Sequence, residues 1–455
     1  MSKQKVQTAD MIHGPLFKNV WAFAVPLMLT NFLQMLFNAA DTVIVGRFAG
    51  QQALAAVGAT GSLCFLLIAL FNGLSMGSNV VIARYLGAND ERNVERAVHT
   101  AVAMSAVSGL LLFVVGYVIC RPLLQLMSTP DDIIDLSVLY MRIYFVGTFF
   151  SLIYNFGASI LRAKGDTKRP LYFLSISGVL NVLLNMLFVI GLKMSVAGVA
   201  TATAIAHAVS ATLVIITLTK QTDATRVSFK KLRIDFTMAS AIIRIGIPAG
   251  VQSMMFSISN VVVQSSINSF GSSAVAGNSA AGNVESFVYI GMMAFSQACM
   301  TFTSQNIGAR NYPRVKQTMK LTMVLTVASA ALISFTVWFF GDFFLGLYTT
   351  DPSVVEVGKI RLLFVVLPLA LNGVMDVFVS SMRGMGYSML PTVSMILGIC
   401  GVRLTWLLTV FPMFRTLEVI YMCFPISWTV TSIIQFIFWQ HCHKKLLQKA
   451  ELEAA

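Results

Sequence analysis

Charge is scarce in this sequence. Only 11% of the 455 residues are Asp, Glu, Lys or Arg, against about a quarter in soluble domains. With 56% hydrophobic residues and a mean hydropathy of +0.77, the shortage excludes an ordinary soluble fold and implies a polytopic membrane protein. Cysteine is also sparse. Cys64, Cys120, Cys299, Cys400, Cys423 and Cys442 form no CxxC pair and fall mostly in apolar runs, so they read as small buried hydrophobes rather than a disulfide or metal framework. The five histidines are dispersed, with His207 in a span and His441 and His443 as a tail pair. No cluster of histidines and no serine beside a base appears, so neither an enzyme nor a metal centre is expected. The start, MSKQKVQTADMIHG, lacks a short apolar core with a cleavage site, and no removable signal peptide is expected.

Acid is the scarcest charge: 19 Asp and Glu stand against 32 Lys and Arg, for a net charge of +13. The basic residues sit in short clusters between apolar runs rather than on one face, so they read as topology determinants and not as a nucleic-acid footprint. Apolar runs of spanning length fall near 16–46, 53–83, 97–120, 137–161, 171–192 and 196–219. Six more follow near 245–270, 274–307, 321–341, 360–382, 390–411 and 419–440. Twelve spans put both termini on one side of the bilayer. That side carries 24 of the Lys and Arg, the opposite loops carry six (Arg47, Arg121, Lys193, Lys359, Arg361 and Arg415), and Arg142 and Arg403 fall inside spans. The bias predicts cytoplasmic termini.

An internal repeat organises the runs. At an offset of 221 or 222 residues Pro26 meets Pro248, Asn38 meets Asn260, Gly87 meets Gly308, and Arg162, Gly165 and Pro170 meet Arg383, Gly386 and Pro391. Each half has six spans, an even number, so the halves share one orientation and are expected to be related by a pseudo-twofold axis along the membrane normal. The expected fold is all-α, with twelve transmembrane helices in two six-helix lobes. The lobes are expected over 1–219 and 241–443, with a cytoplasmic linker at 220–240 and a cytoplasmic tail at 444–455.

Three acids, Asp41, Glu285 and Asp376, lie well inside apolar spans. An ionisable group at that depth costs about 2.5–3.5 kcal/mol on insertion scales and marks a functional hypothesis. Asp41 follows Pro26 by fifteen residues in one span, and Pro26 is a candidate hinge because proline removes a backbone hydrogen bond. Asn181 and Asn185 share one face of the fifth span, and Thr203 lies in the sixth. All three could face Asp41; spacing alone leaves open whether they form an ion site or a ladder of helix-packing hydrogen bonds. Arg403 requires a partner, for which Asp376 and Glu285 are the candidates. Methionines such as Met28, Met35, Met254, Met255, Met292 and Met375 could form an adaptable lining for apolar substrates, but most are expected to be ordinary lipid-facing or packing residues.

These residues carry a resemblance. The first span with Pro26 and Asp41 followed by GRFAGQQALAAVG, the loop YLGANDERNVERAV, the segment ILRAKGDTKRP, and IGIPAGVQ, MRGMGYSMLPT and GICGVRL in the second half resemble the multidrug and toxic compound extrusion (MATE) family, in family order across the whole chain. The resemblance implies a secondary antiporter at the cell membrane. Such a protein exports organic, often cationic and amphipathic compounds in exchange for H⁺ or Na⁺ by alternating access, with no cofactor besides the coupling ion. It implies the coupling role for Asp41, with Asn181 and Thr203 as neighbours, and matches Asp376 to an acidic position of the tenth span. Asn185 departs from the pattern, because many relatives carry Asp there, and Glu285 carries over less directly. The expected partners are small organic molecules and the lipid bilayer, and a monomer suffices because two lobes complete a transport unit. The alternative reading is a flippase for a lipid-linked oligosaccharide, which would call for further spans and a strongly cationic cleft.

Overall fold

The computed structural model describes residues 9–127 and 129–454; most of the start that bears on a signal peptide therefore lies outside the described residues. Among them the chain is helical with no strand. The first half contains α1 (Leu16–Ile44), α2 (Gln51–Gly87), α3 (Glu91–Leu126), α4 (Asp131–Ala163), α5 (Lys168–Asn185) and α6 (Ser195–Thr219). The second contains α7 (Phe236–Asn268), α8 (Ser272–Gly308), α9 (Tyr312–Phe339), α10 (Pro352–Met385), α11 (Met389–Thr409) and α12 (Leu417–Ala454), with a short helix Gly341–Gly346 before α10. Eleven of the twelve long helices are both long and apolar enough to cross a membrane. The exception, α8, has 37 residues but carries Asn278, Asn283, Glu285 and Gln297, which lower its hydropathy without shortening it.

Local chemistry sets the boundaries. Asp90 accepts the backbone N–H of Asn93 at 3.1 Å and caps α3, and Asp351 accepts that of Ser353 at 2.9 Å ahead of Pro352 and caps α10; each satisfies an orphan donor of a first turn. The repeat reappears in the backbone. Gly50 and Gly271 break the chain between helices at φ 91° and 92°, Asn89 and Arg310 turn at 53° and 57°, and Gly165 and Gly386 at 93° and 97°. All three pairs stand 221 positions apart, so the left-handed turns recur at the same places in both halves.

Among the described residues the chain forms two compact units, one of residue 9 and residues within 25–250, the other of residues 10–24 and 251–454. In the first, the start of α7 lies on α2 backbone to backbone. A Cβ at Gly73 would fall 2.5 Å from Gly250 N, and one at Gly77 would fall 3.0 Å from Gly246 N. Both helices present glycines four apart, the spacing that lets helices approach closely in a membrane. The segment after α6 is held on α3 by Arg96 with Asp235 (2.6 Å), Lys231 with Glu95 (2.6 Å) and Ser228 N–H to His99 Nε2 (3.0 Å). The Arg96 guanidinium holds the Asp235 carboxyl below its ordinary 3.8.

In the second unit Arg314 donates to the carbonyls of Met11 (3.1 Å), His13 (3.0 Å) and Gly14 (3.0 Å), and Asn306 donates to that of Met11 (3.0 Å). Phe23 meets Phe302 edge to face at 5.7 Å. Met292 and Met375 are fully buried in this unit's core, so these two are packing residues and not part of a substrate lining.

Candidate functional site

Each unit encloses a polar cavity. The cavity of the first unit has a volume of about 550 Å³ and is lined by Asn38, Asp41, Tyr140, Asn181, Thr203 and His207, among others. One hydrogen-bonded chain joins three of these lining residues through the fully buried Asn185. Asn185 Nδ2 donates to Asp41 Oδ1 at 2.5 Å and to Asn181 Oδ1 at 3.2 Å, and Asn181 Nδ2 donates to Thr203 Oγ1 at 3.3 Å. The four residues read from the sequence thus meet, drawn from α1, α5 and α6. The i,i+4 spacing on α5 places both amides on one face, and burial leaves them no alternative partner in water: Asn185 is 0% and Asn181 5% exposed. Both amide groups turn their N–H toward the acid end of the chain or toward Thr203, so Asp41 receives a donor. No Lys or Arg lines this cavity.

The second unit's cavity has a volume of about 370 Å³, with Glu285, Arg361 and Arg403 in its wall. Here the expected pairing is corrected. Glu285 Oε2 accepts from Arg361 Nη2 at 2.6 Å, and Arg361 also donates to Asn278. Arg403 pairs with neither acid: Nη1 donates to Asn260 Oδ1 at 3.0 Å and Nε to Ser427 Oγ at 3.2 Å, with the guanidinium 4.2 Å from the Phe424 ring centroid and 5.4 Å from that of Phe256. Asp376 instead accepts the Tyr289 hydroxyl at 3.2 Å, and the Asn372 amide, oriented to serve both neighbours, donates to Asp376 and accepts from Trp428 Nε1 at 3.2 Å. The physical reason is Arg361. It reads as a loop residue because its apolar run begins at 360, yet α10 starts at Pro352, so Arg361 sits two turns inside a helix and reaches Glu285 first.

Four wide π turns escaped the sequence reading: Val45–Ala49, Met186–Gly191, Leu362–Val366 and Ile396–Gly401. They follow Asp41 by four residues, Asn185 by one and Arg361 by one, and end two residues before Arg403. Such turns are rare and concentrate at functional sites. Tyr140 and Tyr144, whose rings stack at 5.8 Å beside the first cavity, were also missed; their i,i+4 spacing on α4 was the available signal. Pro26 lies within α1, its carbonyl accepting the Thr30 hydroxyl at 2.7 Å.

Comparison with known proteins places this geometry. The family model MatE matches residues 26–187 and 248–407, two segments that begin at Pro26 and Pro248. The chain is 28% identical, over 98% of both sequences, to a probable multidrug resistance protein, YoeA, of Bacillus subtilis strain 168. Among solved structures it resembles a MATE protein crystallised in a bent conformation, with a TM-score of 0.89 and 20% identity over 96% of this chain and 97% of that one. It also resembles a MOP superfamily transporter from Pyrococcus furiosus described as having a binding pocket of reverse polarity that suggests a different function, with a TM-score of 0.88 and 21% identity over 98% of this chain and 99% of that one.

Proposed function

The chain belongs to the MatE family of membrane transporters, and from that premise we propose that it is a secondary antiporter. It exports organic, often cationic and amphipathic compounds across the cell membrane in exchange for protons. The observation that carries this reading is the hydrogen-bonded chain from Asp41 through Asn185 and Asn181 to Thr203 in a cavity without Lys or Arg. A hard cation such as Na⁺ calls for several convergent oxygens. Here Asn185 turns N–H groups toward Asp41 and Asn181, which favours a carboxylate that exchanges a proton over one that coordinates a metal ion.

In this reading residues 1–219 and 241–443 are the two lobes, 220–240 is a cytoplasmic linker and 444–455 a cytoplasmic tail, with both termini cytoplasmic by the Lys and Arg bias. An apolar cation binds from the cytoplasm. Proton entry at Asp41 then neutralises the site, α1 bends near Pro26, and the substrate leaves. One charge crossing about 100 mV supplies about 2.3 kcal/mol. Glu285 and Asp376 are the acids of the second unit that share the load, and a monomer is the functional unit. The flippase reading is not favoured, since the family match is to MatE.

The test is dye efflux from inverted vesicles carrying wild type or Asp41→Asn under an imposed pH gradient and then an imposed Na⁺ gradient. The expected result is wild-type efflux under the pH gradient alone and none from the variant. Equal efflux from both proteins would place coupling in the second unit, and wild-type efflux driven by Na⁺ would overturn the proton assignment.

A further inference from the structure

Arg403 is a fixed positive charge without a carboxylate of its own. It is 1% exposed, it stays protonated in any protein environment, and the groups that touch it are neutral: the Asn260 amide, the Ser427 hydroxyl and the rings of Phe424 and Phe256. Its Nη2 has no hydrogen-bond partner. The acid in the same cavity wall, Glu285, is engaged by Arg361, and Asp376 is not among the lining residues, being held by Tyr289 and Asn372, which are. A buried guanidinium in this setting calls for an anion. Glu285 acts on Arg403 only from across the same wall, so the guanidinium has no directly bonded anion.

We infer that the second unit's cavity is a binding site for an organic anion with an aromatic body, whose carboxylate pairs with Arg403 while its ring lies among Phe256, Phe424 and Trp428. The guanidinium edge matches a carboxylate oxygen. The 370 Å³ of the cavity suits a ligand of one or two rings. The two cavities are then opposite in sign, the first built around one acid and the second around two guanidiniums and one acid. This goes beyond the antiport reading and does not rest on it, since binding here requires neither a proton gradient nor Asp41.

The experiment is equilibrium dialysis of the purified full-length protein with 1-naphthoate and with its cationic counterpart 1-naphthylmethylammonium. Wild type is expected to bind naphthoate at one saturable site, and the ammonium, which the acid of the first cavity can take, serves as the internal reference. Arg403→Gln is expected to weaken naphthoate at least tenfold and leave the ammonium unchanged, with Arg403→Lys intermediate. Ser279→Trp, which fills the cavity wall and changes no charge, gives a second variant should Arg403→Gln not fold; it is expected to remove naphthoate binding. Asp41→Asn is expected to bind naphthoate as wild type does, which separates this inference from the coupling proposal. Undiminished naphthoate binding in Arg403→Gln or in Ser279→Trp, or an equal loss of both probes in Arg403→Gln, would overturn the assignment.

Discussion

Exchanging one amide for a carboxyl, Asn185→Asp, puts the proton assignment under its hardest test. Asn185 Nδ2 stands 2.5 Å from Asp41 Oδ1, and the exchange replaces that donor with an oxygen. Two unit charges at that separation repel by roughly 7 kcal/mol at an effective dielectric of about 20. The charge-assisted hydrogen bond that is lost contributes about 1.5–3 kcal/mol more. Only a shared proton or a captured cation relieves such a pair. The assay is thermal unfolding of purified wild type and variant titrated with NaCl against choline chloride at constant ionic strength. The variant is expected to gain Na⁺-specific stability, about 2.7 kcal/mol once Na⁺ reaches a hundredfold excess over its dissociation constant, and to acquire dye efflux under a Na⁺ gradient. Wild type is expected to respond to neither. A wild type stabilised by Na⁺ as strongly as the variant would refute the reasoning, because Asp41 with its amide donors would already bind the cation.

Three further outcomes follow from other contacts. Gly73→Ala forces a Cβ to within 2.5 Å of Gly250 N and is expected to cost about 1–3 kcal/mol; an unchanged melting temperature would mean that α2 and α7 do not touch backbone to backbone. Glu285→Gln strands Arg361, whose side chain is 12% exposed, and removal of one partner of a buried pair costs about 3–5 kcal/mol; the double variant with Arg361→Gln is expected to recover part of that loss in a thermal unfolding cycle. The Arg96 and Asp235 clasp has a carboxyl held below 3.8. Its stabilisation is therefore present above that pH and lost as the pH falls through the lower folded value. Wild type is expected to lose more stability than Arg96→Met between pH 5 and pH 3, read by fluorescence unfolding, and parallel losses would show that the clasp contributes nothing.

The first cavity was legible in the sequence because its chemistry is local. Asn181 and Asn185 are one helical turn apart, Asp41 and Thr203 are polar outliers in apolar runs, and a helix turns such spacings into a shared face. The second was half legible. Asp376 and Glu285 stood out by depth, but their partners depend on where α10 begins, and hydropathy assigned its polar first turns to a loop. Arg361 therefore went unnoticed inside the protein, and Arg403 was given a carboxylate that another arginine already held. The π turns have no sequence signature of the kind that proline or glycine gives, since they arise from one extra residue accommodated within a helical turn. The helix α8 illustrates the converse: it was read as an apolar run near 274–307, although its polar residues leave it below the hydropathy of the other eleven long helices.

The way the units share the chain has a consequence for the order in which the protein is made. Residues 10–24 belong with residues 251–454, and the carbonyls of Met11, His13 and Gly14 wait for Arg314, some 300 positions later in synthesis. At about 5–20 residues per second, that wait lasts roughly 15–60 s. The first unit is kept waiting too, because its glycine contact on α2 needs Gly246 and Gly250. Neither half can finish on its own from the ribosome. The newborn protein must hold residues 10–24 uncommitted until the second half arrives to claim them.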